Sequence, residues 1–472
     1  MVDFGFFDDW HPQPGVLTAW TPTEATRAAV AVAPLHPSPP SYTQREYLRT
    51  AHRSSGARAR ASRLCMVSFD VHAAPDIAAL TRAFTAFVRR HDTFWSRFAV
   101  DDDQVVARHV VAPEGIELTA TDHGRFDTAD SIRDFVQEHI PDARSWDCFG
   151  FGVIDRGDAF TVYAAVDHLH TDGVGQALTC TDLLTLYGCE LSEQAIGPAQ
   201  VGGHLAYCTR EDELNSALTA QSPQIRRWLE VLHRNGGDMP SFPLPLGASA
   251  EPGFSRGAQI TLPLMNGAEA ERFELTCARN NGRFLGGLLA ALALTEHELT
   301  GSDRYFVLSP ANTRTAAEEV ASIGWYTNLV PLATDLPANP RFSTLVARTQ
   351  HAVDDAKDLT HVSPHRVLEL AGPADGIHTA PGWAAMMMSY IDVRKIAGVE
   401  MFDLINGGMF ANRAAPGQVY VWFNRFPDVT TFSLLFPDTV VAHDSVERYI
   451  KTLCSIIDAV VTEGDFAGGI ED

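Results

Sequence analysis

The sequence predicts an α/β protein of two similar halves, each a mixed sheet with helices. Three observations predict it. Short runs of β-branched and aromatic residues, clearest over 160–166, alternate along the chain with helical periodicities such as 77–89 and 444–461. A stretch rich in Gly, Pro and Ser, residues 191–256, divides these segments into two sets, with a linker near 195–215. The chain has 472 residues, 45% hydrophobic and 20% charged, enough for two cores and ordinary for a globular protein. The division expected is 1–200 and 201–472.

The elements follow in order. Residues 1–40 are rich in Pro and Trp with little periodicity and read as an extended arm, which Phe6, Phe7, Trp10 and Trp20 pack onto the body. A helix over 44–63 carries Arg45, Arg49, Arg53, Arg58, Arg60 and Arg63 against Glu46 alone. That cluster is either a docking face for an acidic partner or for phosphates, or a solvated face paired to the many acidic residues. Residues 66–71 alternate as a strand, Pro75 opens a helix over 77–89, and strands follow at 105–108, 154 and 160–166.

Beyond the composition break, helices are expected over 222–233, 268–280 and 284–299. The last is almost wholly apolar over 285–294 and so buried, and Gly286-Gly287 within it marks close packing. A strand at 305–309 runs into Asn312-Thr313-Arg314, where Arg314 either faces a phosphate or carboxylate or makes a structural pair. Strands at 386–390, 419–423 and 431–436 and a closing helix over 444–461 complete the chain. The Met386-Met387-Met388 run either shapes a pocket for an apolar chain or is plain core.

Composition excludes several function classes. Lys+Arg 36 against Asp+Glu 59 gives a net charge of −23, which argues against nucleic-acid binding. There is no run of eighteen apolar residues, and Met1-Val2-Asp3 lacks the basic start of a signal peptide, so a cytoplasmic protein is expected. Seven cysteines without a C-x-x-C pair form no disulfide framework, and Cys148 and Cys180 read as buried thiols. There is no internal repeat of the 20–50-residue kind, and a monomer is expected because each half can bury its own sheet.

Chemistry concentrates at the end of the 160–166 strand, in Asp167-His168-Leu169-His170-Thr171-Asp172-Gly173-Val174-Gly175, ahead of a helical pattern over 176–187. A strand end presents side chains to a cleft from a rigid element. His168 and Asp172 are four apart, with Gly173 permitting a tight turn through which the Asp curls back or pairs with a distant Arg. A neutral imidazole is suited to taking a proton from a hydroxyl or amine near pH 7. Two other readings are a local strand-end hydrogen bond, and a metal held by His168, His170, Asp167 and Asp172. No Cys pair or H-E-x-x-H supports the metal, so none is expected. A G-x-S-x-G elbow is also absent.

His168-x-x-x-Asp172-Gly173 after a strand resembles the active-site motif of the coenzyme-A-dependent acyltransferase superfamily, which includes condensation domains and polyketide-synthase-associated (Pap) acyltransferases. Asp167 stands where condensation domains carry a first histidine. Ser41-x-x-Gln44 resembles the family's opening box. Arg89-Arg90-His91-Asp92-x-x-Trp95-x-x-Phe98 resembles its second box, with Trp95 where an arginine braces the motif's Asp. Gly324-Trp325-x-x-Asn328-x-x-Pro331 resembles its channel segment. The Pap branch is most similar, through Trp10, Pro14-Gly15, 146–149, Ser389-Tyr390-Ile391-Asp392, 422–426 and 436–438.

The resemblance implies two chloramphenicol-acetyltransferase-like subdomains in a V with a channel between them. It implies acyl transfer from a thioester, on coenzyme A or on the carrier protein of a polyketide synthase or similar assembly line, to a hydroxyl, often of a trehalose-type sugar. No cofactor is needed. His168 would be the base and Asp172 the residue that fixes it, with Gly173 in the turn. Asp167, Arg314, Trp325, Asn328 and Ser389 would line the channel, and Arg45, Arg49 and Arg53 would dock the carrier or its phosphate. Two alternatives remain: a free-standing condensation enzyme making an ester or amide, and a silent carrier-binding homologue.

Overall fold

The structure, a computed structural model, describes residues 3–53, 63–194, 203–247, 255–379, 382–396, 399–412, 414–415 and 417–469. The chain forms two compact units, each drawn from several stretches. The first comprises Met1–Glu213, Thr313–Thr327 and Gly398–Arg413; the second comprises Leu214–Asn312, Asn328–Ala397 and Ala414–Asp472.

The strands are β1 (Asp3–Phe6), β2 (Gly15–Pro22), β3 (Leu64–Val71), β4 (Ser96–Val100), β5 (Val106–Val110), β6 (Leu118–Phe126), β7 (Phe149–Asp155) and β8 (Phe160–Asp167). They continue as β9 (Ser255–Asn266), β10 (Arg304–Asn312), β11 (Thr327–Asp335), β12 (Met387–Asp392), β13 (Gly408–Ala411), β14 (Ala414–Ala415), β15 (Tyr420–Arg425) and β16 (Val429–Pro437). The first unit holds a seven-stranded sheet in the order β1-β13-β3-β8-β7-β2-β6. It is antiparallel except for β1 beside β13, and β4 and β5 pair apart from it. The second unit holds β11-β10-β12-β15-β16-β9-β14, with β10, β12 and β15 parallel. Each half is thus a mixed α/β layer.

The first sheet explains the apolar run that leads to the candidate motif. Every residue of β8 is buried. Val162, Ala164 and Val166 pack with Phe84 and Phe87 of the helix Ile77–Arg90 and with Leu183 and Leu186 of the helix Gly173–Leu191. Tyr163 and Ala165 pack on the other face against Ile132, Phe135 and Val136 of the helix Ala129–His139. A strand covered on both faces reads as continuous apolar sequence rather than as alternation.

Two expectations are corrected here. Residues 1–40 are not merely an extended arm, because they supply β1, β2 and the helix Glu24–Ala31. Trp10 and Trp20 are buried, and their indole N–H groups donate to Ser68 Oγ (3.0 Å) and Thr81 Oγ1 (2.8 Å). The region near 195–215 is not a plain linker: 195–202 lie outside the described residues, but His204–Ser216 is a helix. The arginine-bearing helix is Tyr42–Arg53, and 54–62 also lie outside the described residues. Gly286 and Gly287 pack against Gln350 and Cys277, where any Cβ would collide. All seven cysteines are free thiols. Among the described residues no helix is long and apolar enough to cross a membrane.

Candidate active site

Asp167 ends β8 and its carboxylate accepts the Leu169 N–H at 2.9 Å, which starts the single 3-10 turn His168–His170. The turn is also held from outside. His168 N–H donates to Arg63 O (2.8 Å), and Gln44 Nε2 donates to Leu169 O (2.8 Å). Gln44 is set in turn by its reciprocal bonds with Ser41 at the start of the helix Tyr42–Arg53 (3.1 Å each way). The Ser41-x-x-Gln44 pattern is therefore a capping box that reaches across to the motif.

His168 is partly exposed, yet its Nδ1 is buried without a hydrogen-bond partner. Its ring lies 4.3 Å from that of Trp325, centroid to centroid. Burial lowers its pKa to about 4, helped by the Arg63 guanidinium and opposed by nearby backbone and Asp172. The imidazole is thus neutral at pH 7, as a proton acceptor must be. His170 points inward: it is buried, bonds Thr93 Oγ1 (3.1 Å), and burial takes it to about 3.

Asp172 caps the helix Gly173–Leu191, accepting Gly175 N–H at 2.7 Å. It also receives Arg314 Nη1 (2.8 Å) and Nη2 (3.1 Å), Tyr326 N–H (2.9 Å) and Thr327 Oγ1 (3.4 Å). None of these bonds goes to the His168 ring. The side chains of Asp172 and Arg314 are 3% and 4% exposed, so the pair is a bidentate salt bridge out of water. Arg314 also donates to the Glu319 and Ser322 carbonyls and lies over the Tyr326 ring, 4.3 Å from its centroid.

Of the two readings of Arg314, the structure shows the structural pair: it is the partner of Asp172. Trp95, which stands where the family has that arginine, donates to Val88 O instead. Gly173 is also placed otherwise than expected: its φ is not left-handed, and a Cβ there would meet open space. The tight position is Gly175, whose Cβ would lie 2.7 Å from Thr171 Oγ1.

Asp167 is fully buried, so its place is structural rather than on a cleft wall. Trp325 packs against both His168 and Tyr47. Asn328 belongs to the second unit, where its buried amide donates to the Thr360 and Val362 carbonyls at 2.9 Å each. Ser389, partly exposed on β12, faces Trp422 of β15 in that unit. Arg45 is bound to Asp212 and Pro40 O, Arg49 to Gln104 O and Glu46, and Arg53 to Glu46. Those three do not form an open cationic face. Among the described residues no three His, Cys, Asp or Glu side chains are grouped to hold a metal.

The sequence marks His91 only by its place in the second family box and gives no signal for His204. Both bond the backbone beside Trp325.

A family model described as the condensation domain matches residues 60–364. The chain is 34% identical to the 2'-acyl-2-O-sulfo-trehalose (hydroxy)phthioceranyltransferase PapA1 of Mycobacterium tuberculosis, over 98% of this chain and 89% of the relative. It is 34% identical to the trehalose-2-sulfate acyltransferase PapA2 of Mycobacterium bovis over 95% of each. A solved structure of a PapA2 acyl transferase superposes with a TM-score of 0.89 at 32% identity, covering 98% of this chain and 100% of that one. The first condensation domain of the calcium-dependent antibiotic synthetase shares the fold at 16% identity, with a TM-score of 0.66 over 90% of this chain and 96% of that one.

Proposed function

The chain belongs to the condensation-domain family and is an acyltransferase; on that premise we propose that it moves an acyl group from a thioester to a hydroxyl of a trehalose-type sugar. The observation that carries the acceptor class is the near-full-length likeness, in sequence and in fold, to the trehalose-2-sulfate acyltransferase PapA2. The donor is an acyl chain on coenzyme A or on a carrier protein, met in the cytoplasm.

His168 is the base. It takes the proton of the sugar hydroxyl as that oxygen attacks the thioester carbonyl carbon. When the tetrahedral adduct collapses the carbon–sulfur bond breaks, and the departing thiolate leaves as a thiol with the proton held by the imidazolium. His168 is partly exposed and already neutral at pH 7, which supports the role. Asp172 accepts five hydrogen bonds in the fold and has none to spare for a relay, so it fixes the turn. No enzyme nucleophile is required: holding both substrates together makes the step effectively unimolecular. Cys148 and Cys180 are poor candidates for one, since burial pushes the Cys148 thiol well up and Cys180 to about 12.

The test is thiol release from a long-chain acyl-coenzyme A, with and without trehalose or trehalose-2-sulfate, with products read by mass spectrometry. Acyl-sugar should form with the parent. His168→Ala should lower turnover by roughly two to four orders of magnitude while melting like the parent. A His168→Ala enzyme at near-parental rate removes the base. Failure to form acyl-sugar from either the coenzyme A donor or an acyl-loaded carrier removes the acceptor class.

A further inference from the structure

Residues 322–326 lie outside helix and strand, yet their backbone is buried beside the base. Buried N–H groups without a ladder or helical partner must find acceptors elsewhere. Three of them here find side chains. Ile323 donates to His91 Nδ1 (3.3 Å), Trp325 to His204 Nε2 (3.2 Å) and Tyr326 to Asp172 Oδ2 (2.9 Å).

Each histidine is itself held in place. His91 Nε2 meets Asp182 Oδ2 at 2.9 Å, and Asp182 stands on the helix that Asp172 caps. The backbone N–H of His204 donates to Asp92 Oδ1 (3.1 Å), which anchors the start of its helix. Gly324, between the two anchored N–H groups, leaves room for the His204 ring; any Cβ there would collide with it. Both rings are fully buried.

We propose that His91 and His204 are positioning residues for acyl transfer: as neutral imidazoles they accept the N–H groups of Ile323 and Trp325 and so seat the Trp325 ring against His168. The inference rests on His168 being the base. An imidazolium donates from both nitrogens and could not accept a backbone N–H. The bonds therefore fix the tautomers, with the proton of His91 on Nε2 towards Asp182 and that of His204 on Nδ1; Cys208 Sγ lies 3.9 Å from that nitrogen and 4.0 Å from Nε2. Trp325 in turn limits the rotamers open to His168, whose own Nδ1 has no hydrogen bond to hold it.

Two variants separate the acceptor from the ring. His204→Gln keeps an acceptor oxygen close to where Nε2 stands, and His204→Phe keeps the ring's bulk without one. With the base displaced, His204→Phe should lose about 10–100-fold in kcat at nearly unchanged KM, while His204→Gln stays within about threefold of the parent. A His204→Phe enzyme at the parental rate, or a His204→Gln enzyme as slow as the Phe variant at the same Tm, overturns the proposal.

A measurement on the parent serves if the Phe variant does not fold. Long-range proton–nitrogen correlation of the histidine rings at pH 7 should show the stated tautomers, and a protonated ring or the opposite tautomer at either position overturns the assignment. His168→Ala, run alongside, tells the two ideas apart. If it retains its rate, the base reading falls whatever the tautomers are; if it is inactive and His204→Phe is not impaired, only the clamp falls.

Discussion

At the scale of single residues, the proposed chemistry turns on a histidine held far from its ordinary titration range. His168 has an ordinary pKa near 6.5, and burial with Arg63 brings it to about 4. A base works only when unprotonated, so activity is lost as pH falls through its pKa. The acid limb of kcat/KM should therefore lie well below pH 6.5, towards about 4; a limb at 6.5 or above would mean that this imidazole is not the group titrating. Asp172→Ala tests the neighbouring charge. It leaves Arg314 buried without its carboxylate, which should cost about 3–5 kcal/mol in a denaturant titration. A variant that unfolds like the parent but is inactive would instead assign Asp172 a chemical role. The motif residues could be read from the chain because they are contiguous. The partner of Asp172 could not, because Arg314 lies 142 residues away and only the folded chain brings it there.

Among elements, those buried on a broad face were legible and those built from pairing alone were not. The helices Ile77–Arg90 and Phe284–Thr300 begin where their apolar periodicity begins and end within a residue of it. β8 was plain because both its faces are covered. By contrast β13 has four residues and β14 two, too few for any period to register, and β2 hid in a stretch interrupted by Pro and Gly. The start of the helix Gly173–Leu191 was read too late, at 176, because its first turn is glycine-rich and held by the Asp172 cap rather than by apolar packing. That cap gives a paired prediction. Gly175→Ala should lower Tm, since its Cβ would press on Thr171 Oγ1, a buried side chain with little room to yield. Gly173→Ala should leave Tm unchanged, because the same methyl meets open space. Equal effects at the two positions would contradict the turn's geometry.

For the whole molecule, the chain does not finish one half before starting the other. A boundary drawn at residue 200 follows composition, whereas the first unit also takes in 313–327 and 398–413. Composition is a local property and carries no trace of such returns. A fragment of residues 1–200 should therefore lack Arg314 and β13 and fail to show a cooperative melt by circular dichroism; a sharp transition in that fragment would contradict the interleaving. The place of β13 has a further consequence. Among the described residues β1 is hydrogen-bonded into the sheet through β13, which sits between it and β3. At roughly 5–20 residues per second on the ribosome, β1 waits on the order of 20–80 s for that neighbour to be made. Through that interval the flank of β3 that β13 will occupy is an open edge inviting foreign strands. The nascent chain is therefore exposed to misassembly at this one edge from the pairing of β3 with β8 until β13 is made.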